Sequence, residues 1–327
     1  MKQYNYLVAA CMAALLMAGC TDSGEDIGVP LTIAEDYTLP QQGASAADNE
    51  RIRQMYDKYG SYFLYDFTNK DAMWVQITGN ASSGGRDYYT TLGNPNNVGA
   101  MLDFLTDTWL KYFPNEFLKK GGIPYKVFMA DSLYMQRDFG NGDIRKYVQN
   151  YMINGNSLIV AGMNRISTID EKTKKTRKLE LITALWTYYI AQKLIDIPQE
   201  FYSLSNYTVK PTMSDTIQWG YKSYYYSTAD LDALRNRGFI PKYSPYGYNV
   251  YSEIYMQYSE TSDTWTNVSI ETLRNNDYQY YLSQIFNATD EQVIQFLKYP
   301  LVKQKWDLLL NYYKDKYGID LRKIATE

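Results

Sequence analysis

Histidine is absent from the 327-residue sequence, and cysteine occurs only at Cys11 and Cys20. Without imidazole, the chain cannot form histidine-ligated zinc sites or the serine–histidine pairs that many hydrolases use. The chain after Cys20 also has neither a thiol nor a disulfide, which is no obstacle to folding because about 280 residues bury a core that is stable unaided. Hydrolysis through a histidine-ligated zinc ion is therefore excluded, and a serine nucleophile would lack its usual base.

The sequence has no strong bias in charge. Lys and Arg total 33, Asp and Glu total 36, and the net charge is −3. The basic residues are scattered along the chain, whereas a protein that binds nucleic acid usually presents a basic face. We therefore expect no nucleic-acid partner.

Long apolar runs are missing except at the N-terminus. Lys2 precedes an apolar stretch of about twelve residues, which is too short to span a bilayer. The stretch ends in Met17-Ala18-Gly19-Cys20, a near-consensus lipobox. Residues 1–19 are therefore predicted to be a lipoprotein signal peptide, and Cys20 is predicted to carry the lipid that anchors the mature chain to a membrane.

Residues 20–47 are predicted to form a flexible tether behind the lipidated cysteine. They begin with acidic residues and continue with Pro, Gly, Gln and Ser but no periodic apolar pattern. The acidic start resembles the signal that exports some lipoproteins to the outer face of the outer membrane. We therefore expect an outer-membrane, lipid-anchored protein that is exposed on the cell surface.

Tyrosine is the over-represented residue, with 35 copies, several of them in adjacent pairs. Because its ring is apolar and its tip is polar, tyrosine suits both half-buried packing and surfaces that stack on sugars or peptides. Packing is the leading interpretation, and a binding surface is the second. The clusters are 188–189, 224–226, 280–281 and 312–313.

Residues 48–327 are predicted to form a single α+β domain, mainly helical with a small sheet. Asp48 is predicted to cap a helix that Gly60 ends. The charged run 171–178 is predicted to be a solvated loop before a helix that begins at Leu179. The predicted strands are 61–67, 73–78, 127–130 and 158–162, and the predicted helices are 97–113, 144–152, 228–237, 250–258 and those within 291–317, with an aromatic loop to about residue 227.

Several short segments resemble one family, the substrate import-associated zinc metallohydrolase lipoproteins, also described as candidate zinc-binding metallopeptidases. The resemblance spans most of the mature chain and implies a zincin-like domain. It rests on the order and spacing of Tyr56-Asp57-Lys58-Tyr59-Gly60, Tyr62-Phe63-Leu64-Tyr65, Asp131-Ser132-Leu133, Pro198-Gln199-Glu200-Phe201 and the stretch from Tyr313 to Leu321.

That family carries His-Glu-x-x-His on a helix, followed by His-Gln, and uses the histidines to bind zinc and the glutamate as general base. At the matching positions, Ala184 replaces the first histidine, Leu185 the glutamate, Tyr188 the second histidine and Ala191 the third, while Gln192 is retained. The sequence therefore predicts a degenerate member with no catalytic residue and no zinc. A less polar cleft with an aromatic floor at Tyr188 is expected in place of the metal site.

The resemblance places the third zinc ligand in a downstream helix, where this chain has Glu253. One carboxylate cannot hold zinc, so Glu253 is at most a ligand-binding residue together with Tyr188. The resulting expectation is a non-catalytic surface lipoprotein that binds a peptide, a glycan or a partner protein. The resemblance implies a TonB-dependent nutrient importer and its surface lipoprotein as partners.

Two other functions stay open from the sequence. One is an active hydrolase, either a peptidase or a glycosidase that uses two carboxylates, although no pair stands out among the acidic residues. The other is a structural or adhesive protein with a tyrosine-rich surface, which would require exposed and contiguous aromatic clusters.

Overall fold

The fold is centred on a long strand, Lys126–Asp138, which pairs with four other strands. The computed structural model describes residues 36–73, 86–208, 215–219, 221–225, 228–243, 256–259 and 264–327. Within this part of the chain, residues from Leu39 onward belong to one compact unit. The helices are α1 (Ala46–Tyr59), α2 (Asn69–Ala72), α3 (Val98–Thr108), α4 (Asn115–Phe117), α5 (Glu171–Ala191), α6 (Gln199–Ser203), α7 (Thr228–Asn236), α8 (Ile270–Asn287), α9 (Asp290–Phe296), α10 (Pro300–Tyr317) and α11 (Leu321–Thr326).

The strands form one mixed sheet and two separate hairpins. They are β1 (Tyr62–Leu64), β2 (Arg86–Leu92), β3 (Lys126–Asp138), β4 (Ile144–Val148), β5 (Tyr151–Asn154), β6 (Ser157–Val160), β7 (Asp215–Trp219), β8 (Tyr221–Tyr225), β9 (Met256–Ser259) and β10 (Thr264–Asn267). The first six make the sheet, and β7–β8 and β9–β10 are antiparallel pairs. The predicted α+β class is confirmed.

Strand β3 has two halves with different environments. Its first half pairs in parallel with β1 and β6, and its second half pairs antiparallel with β2 and β4. The first half is apolar and buried, from Val127 to Ala130, whereas Asp138 at the far end is exposed. The burial follows from the parallel pairing, because parallel strands are covered on both faces.

The main core lies between one face of this sheet and the helices. Val127 and Leu158 face it together with Leu185 of α5 and Trp306 of α10. Phe128 points to the opposite face, where its ring centroid lies 4.9 Å from that of Phe67. This alternation is the period-two pattern expected of a strand buried on both sides.

Several predicted elements match the structure closely. The first helix ends at Gly60, which adopts a left-handed φ of 70° and donates its N–H to the Tyr56 carbonyl. Strands β1, β3 and β6 lie within or overlap the predicted strands 61–67, 127–130 and 158–162. Helix α7 and the pair α9 and α10 lie where the patterns predict helices.

Other predictions about local structure are wrong. Ser45, not Asp48, caps α1 by accepting from the Asp48 N–H, and helix α3 ends at Thr108 instead of residue 113. Residues 144–152, predicted as a helix, form strand β4 and the start of strand β5, which pair antiparallel with β3 and β6 respectively. The region before residue 227, predicted as an aromatic loop, contains strands β7 and β8. The described end of the predicted helix 250–258 is strand β9, and the predicted strand 73–78 lies outside the described residues except Met73, which is in a turn.

The end of the predicted tether packs on the domain. The Gln41 side chain accepts the Tyr65 N–H at 2.9 Å, and the Tyr65 hydroxyl donates to the Gln41 carbonyl at 2.7 Å. These bonds fix the chain ahead of α1 against the residue that follows β1. The packed part therefore starts before residue 48. Among the described helices, none combines the length and apolar character needed to cross a membrane.

Candidate functional site

Helix α5 carries the positions where the resembled family has its metal ligands. Asp170 caps the helix by accepting the Thr173 N–H at 2.6 Å, and this bond holds the pKa of the Asp170 carboxyl below its usual value. The helix then runs without a break from Glu171 to Ala191. The charged run 171–178 is thus its first two turns and not a solvated loop, because the cap at Asp170 starts the helix eight residues earlier than the apolar pattern indicates.

The core-facing side of α5 is closed by aromatic contacts. Leu185 is fully buried, and the Trp186 indole N–H donates to the Tyr278 hydroxyl of α8 at 2.8 Å. The Tyr189 hydroxyl donates to the Gly122 carbonyl and accepts from the Trp109 indole, both at 2.9 Å. Ile182, Leu185, Trp186 and Tyr189 form the buried stripe of α5 at helical spacing, while Ile190 is half-buried.

The motif positions 184, 188 and 191 share a second side of α5, since residues three and four apart are neighbours on a helix. Tyr188 is 6% exposed, and its hydroxyl donates to Asn156 Oδ1 at 2.9 Å in the turn between β5 and β6. Burial raises the pKa of Tyr188, so the phenol is neutral. Ala184 is half-buried, and Ala191 and Gln192 are exposed.

This set of side chains does not fit a zinc ion. Zinc sites in proteins use imidazole, thiolate or carboxylate donors. Here the three ligand positions offer two methyl groups and a neutral phenol that already donates to Asn156, and the general-base position is the buried Leu185. In the part of the chain that the structure describes, no group of three acidic or cysteine side chains lies close enough to hold a metal.

A pocket lies beside the motif face rather than on it. Its volume is about 400 Å³, within the range of about 300–1,000 Å³ typical of ligand sites. It opens between α5 and α8, and Tyr188 is not among its lining residues. Its side chains include Thr183 and Trp186 from α5 and Asn276, Gln279, Ser283 and Asn287 from α8.

Helix α8, which supplies most of this pocket, is not among the helices that the sequence pattern predicts. Its polar lining residues recur at intervals of three or four, which is one side of a helix. On the opposite side, Tyr278 and Tyr281 are fully buried. Alternation of amide and aromatic positions at helical spacing is the signal that identifies both the helix and its polar face.

A buried ion pair is a second feature that sequence analysis missed. Lys305 of α10 and Asp277 of α8 are paired, and both side chains are 0% exposed. The Tyr207 hydroxyl also donates to Asp277 Oδ2, at 2.6 Å, and the Lys305 ammonium lies 4.3 Å from the Phe201 ring centroid. Desolvation lowers the pKa of Lys305 and raises that of Asp277. The two residues are 28 positions apart, and no local sequence pattern predicts that they are in contact.

Most of the described tyrosine clusters belong to the core. Tyr189, Tyr281 and Tyr313 are fully buried, and the Tyr278 and Tyr313 hydroxyls are hydrogen bonded to each other at 2.6 Å. The Tyr313 hydroxyl also donates to the Asp196 carbonyl at 3.0 Å. The packing interpretation is therefore confirmed for 188–189, 280–281 and Tyr313. Glu253, Cys20 and the side chains of 224–226 lie outside the described residues.

No protein-family model matches the chain, and no curated relative matches it. Among solved structures, the chain is similar to a crystal structure of a candidate zinc-binding metallo-peptidase from Bacteroides caccae, with 13% sequence identity and a TM-score of 0.40. The match covers 86% of this chain and 91% of that chain. At this identity and TM-score, the likeness establishes neither a shared family nor a shared activity.

Replacing Tyr188 by phenylalanine is expected to lower the free energy of unfolding by about 1 kcal/mol, because it removes the hydrogen bond that the nearly buried Tyr188 hydroxyl donates to Asn156 Oδ1. Urea denaturation followed by tryptophan fluorescence measures the change. Thr187→Val, on the exposed side of the same helix, is the control and should shift the midpoint little. An unchanged midpoint for Tyr188→Phe would mean that this hydroxyl faces water.

Proposed function

We propose that the chain is a non-catalytic, lipid-anchored envelope protein that is related to zinc metallopeptidases and binds a ligand in the pocket between α5 and α8. The proposal is supported chiefly by the side chains at the motif positions of α5. The helix is retained as a core element, while the position of the catalytic glutamate is the buried Leu185 and that of the second histidine is Tyr188, bonded to Asn156. The helix is present, but the side chains that would bind zinc and act as general base are not.

The segments shared with the import-associated zinc metallohydrolase lipoproteins support the relationship. If it holds, a nutrient importer and its surface lipoprotein are the partners we expect. In this role the protein presents a ligand or docks a partner at the importer without cleaving anything.

The direct test is an assay for hydrolysis by the purified mature protein. Unfolded protein substrates and neutral oligosaccharides are incubated with it, in parallel reactions with added zinc and with a chelator. We expect the same background rate in all reactions. Proteolysis that the chelator abolishes would overturn the proposal, and chelator-resistant glycoside cleavage would favour the alternative of a carboxylate-pair hydrolase.

The proposed anchor is tested by replacing Cys20. In bacteria that express the full chain, Cys20→Ala is expected to remove lipid labelling and to move most of the protein from the membrane fraction to the soluble fraction, because acylation alone supplies the membrane affinity. Cys11→Ala is the matched control and should leave both properties unchanged. Membrane retention of unlabelled Cys20→Ala would show that another segment holds the chain. Accessibility to protease added outside intact cells tests exposure on the surface.

A further inference from the structure

The pocket wall formed by α8 has a regular arrangement of polar groups. Gln279, Ser283 and Asn287 are half-buried and follow one another at intervals of four residues. With a rise of 1.5 Å per residue, these positions repeat about every 6.0 Å along the helix. Asn276 extends the row by one position, and Thr183 of α5 also lines the pocket.

The remaining lining shows which ligands the pocket can hold. Its floor includes the aromatic side chains of Trp186 and Phe286, and the indole N–H of Trp186 already donates to Tyr278. Among the described residues that line the pocket, none is a carboxylate, and Lys242 is the one with a charged side chain. The chemistry suits an uncharged ligand that both donates and accepts hydrogen bonds along one edge and is apolar along the other.

An extended peptide has these properties at a closely matching repeat. Its side chains alternate between two faces, so one face repeats every two residues, or about 6.6 Å. Each peptide unit carries one donor and one acceptor, and an amide side chain offers both kinds of group. The Asn287 amide keeps its oxygen as an acceptor, because its nitrogen donates to the Ser283 carbonyl at 2.9 Å.

We infer that this pocket binds a segment of extended peptide through the peptide backbone, with the amide and hydroxyl row of α8 contacting every second residue and alternate side chains covering the aromatic floor. The inference rests on the proposed non-catalytic binding function and names the ligand class of the same pocket. Recognition of the backbone makes the site tolerant of peptide sequence and sensitive to the length and conformation of the peptide.

The burial of the floor favours a peptide over a sugar. Sugar rings bind proteins by stacking on an open aromatic face. Trp186, Phe286 and Tyr280 are 1%, 2% and 6% exposed, so their ring faces are packed inside the protein. Apolar side chains of a peptide do not need an open ring face to pack against such a floor.

The test uses the intact mature protein and a synthetic probe. The probe is a neutral eight-residue peptide of alternating leucine and serine, acetylated and amidated at its ends, and a second copy is N-methylated at every serine and a third at every leucine. Isothermal titration should show binding of the first peptide and at least about a ten-fold loss for one of the two methylated peptides, since only one edge of the backbone faces α8.

Variants locate the binding to α8. Gln279→Leu keeps the size of the side chain and should weaken the probe about ten-fold, and Ser283→Ala should weaken it less. Gln295→Leu, at an exposed position of α9, is the matched control and should bind as the parent does. Circular dichroism confirms that each variant is folded.

Equal affinity for all three peptides, or binding unchanged in Gln279→Leu, would overturn recognition of the backbone. Binding of neutral oligosaccharides but not of the peptides would overturn the peptide class and leave the proposed binding function standing. Failure of the folded protein to bind either probe would overturn the inference, and the hydrolysis assay then decides the proposed function separately.

Discussion

Replacing Lys305 by methionine is expected to lower the free energy of unfolding by about 3–5 kcal/mol, the largest effect predicted for any single substitution considered for this protein. The ammonium group is fully buried against the Asp277 carboxylate, and it also donates to the Gly238 carbonyl at 3.1 Å. Methionine fills a similar volume but leaves Asp277 without a counter-charge. Even in the parent protein, Oδ1 of Asp277 accepts no hydrogen bond from any residue in the described part of the chain.

Urea denaturation of three variants separates the charge from the packing. Lys305→Met with Asp277→Asn should be more stable than Lys305→Met alone, since the amide removes the uncompensated charge and still accepts the bond from Tyr207. Lys303→Met, at an exposed position of α10 paired with Asp307, should cost less than about 1 kcal/mol. If Lys305→Met and Lys303→Met have equal effects, the pair is not buried in solution.

Replacing Lys178 by methionine is expected to raise the free energy of unfolding by about 2 kcal/mol at pH 7. Lys178 is only 4% exposed, and its nearest partner is the Tyr112 hydroxyl at 3.4 Å. Burial, with repulsion from Lys175 and Lys111, lowers the pKa of Lys178 to about 8. At neutral pH the protein therefore holds a buried ammonium that forms no salt bridge with any described residue. Methionine removes this charge and keeps a side chain of similar length.

The same substitution has a defined dependence on pH. The pKa of Lys178 is lower in the folded chain, about 8 against an ordinary 10.5, so the unfolded chain binds more protons between these values. The contribution of Lys178 to folding thus becomes more favourable as the pH rises from about 8 to about 10.5. The stability difference between Lys178→Met and the parent should shrink across this window.

Denaturation curves at a series of pH values measure that difference directly. Comparing two variants at each pH cancels the titration of the many tyrosines, which dominates the alkaline range. Lys172→Met, at an exposed position of the same helix, should show a difference that does not change with pH. A constant difference for Lys178→Met would mean that its ammonium is hydrated in the folded protein.

Local chemistry explains which parts of the fold the sequence predicts. Gly60 ends α1 because a residue without Cβ adopts the left-handed cap at no cost, and Val127 to Ala130 form a strand because the run is apolar on both faces. The core side of α5 is visible as a stripe at helical spacing. Each of these signals lies within a few residues of the feature that it predicts.

The errors occur where tertiary contacts decide the structure. Residues 144–154 have apolar residues at spacings that also fit a helix, yet pairing with β3 and β6 makes them strands. Arg177 and Lys178 lie in a charged run that resembles a loop, and both are buried. Arg177 is accommodated by its bond to the Ala161 carbonyl and by the Phe104 ring, 4.9 Å away, neither of which any local pattern reveals.

In the candidate site, too, some features follow from the local sequence and others depend on tertiary contacts. The absence of imidazole ligands follows from the sequence, because the chain contains no histidine. The Tyr188 hydroxyl is held by Asn156, which is 32 residues away in the chain and lies in the turn between β5 and β6. The pocket depends on the approach of α8 to α5, which helical periodicity within one segment does not determine.

The most direct test of the account is the zinc content of the purified mature protein. The chain is prepared with a histidine-free affinity tag, incubated with zinc, dialysed and subjected to elemental analysis, beside a protein of the resembled family that carries the His-Glu-x-x-His motif. We expect that protein to keep about one zinc ion per chain and this protein to keep none. About one zinc ion per chain in this protein would contradict the account, because it would require a metal site formed without the residues at 184, 188 and 191.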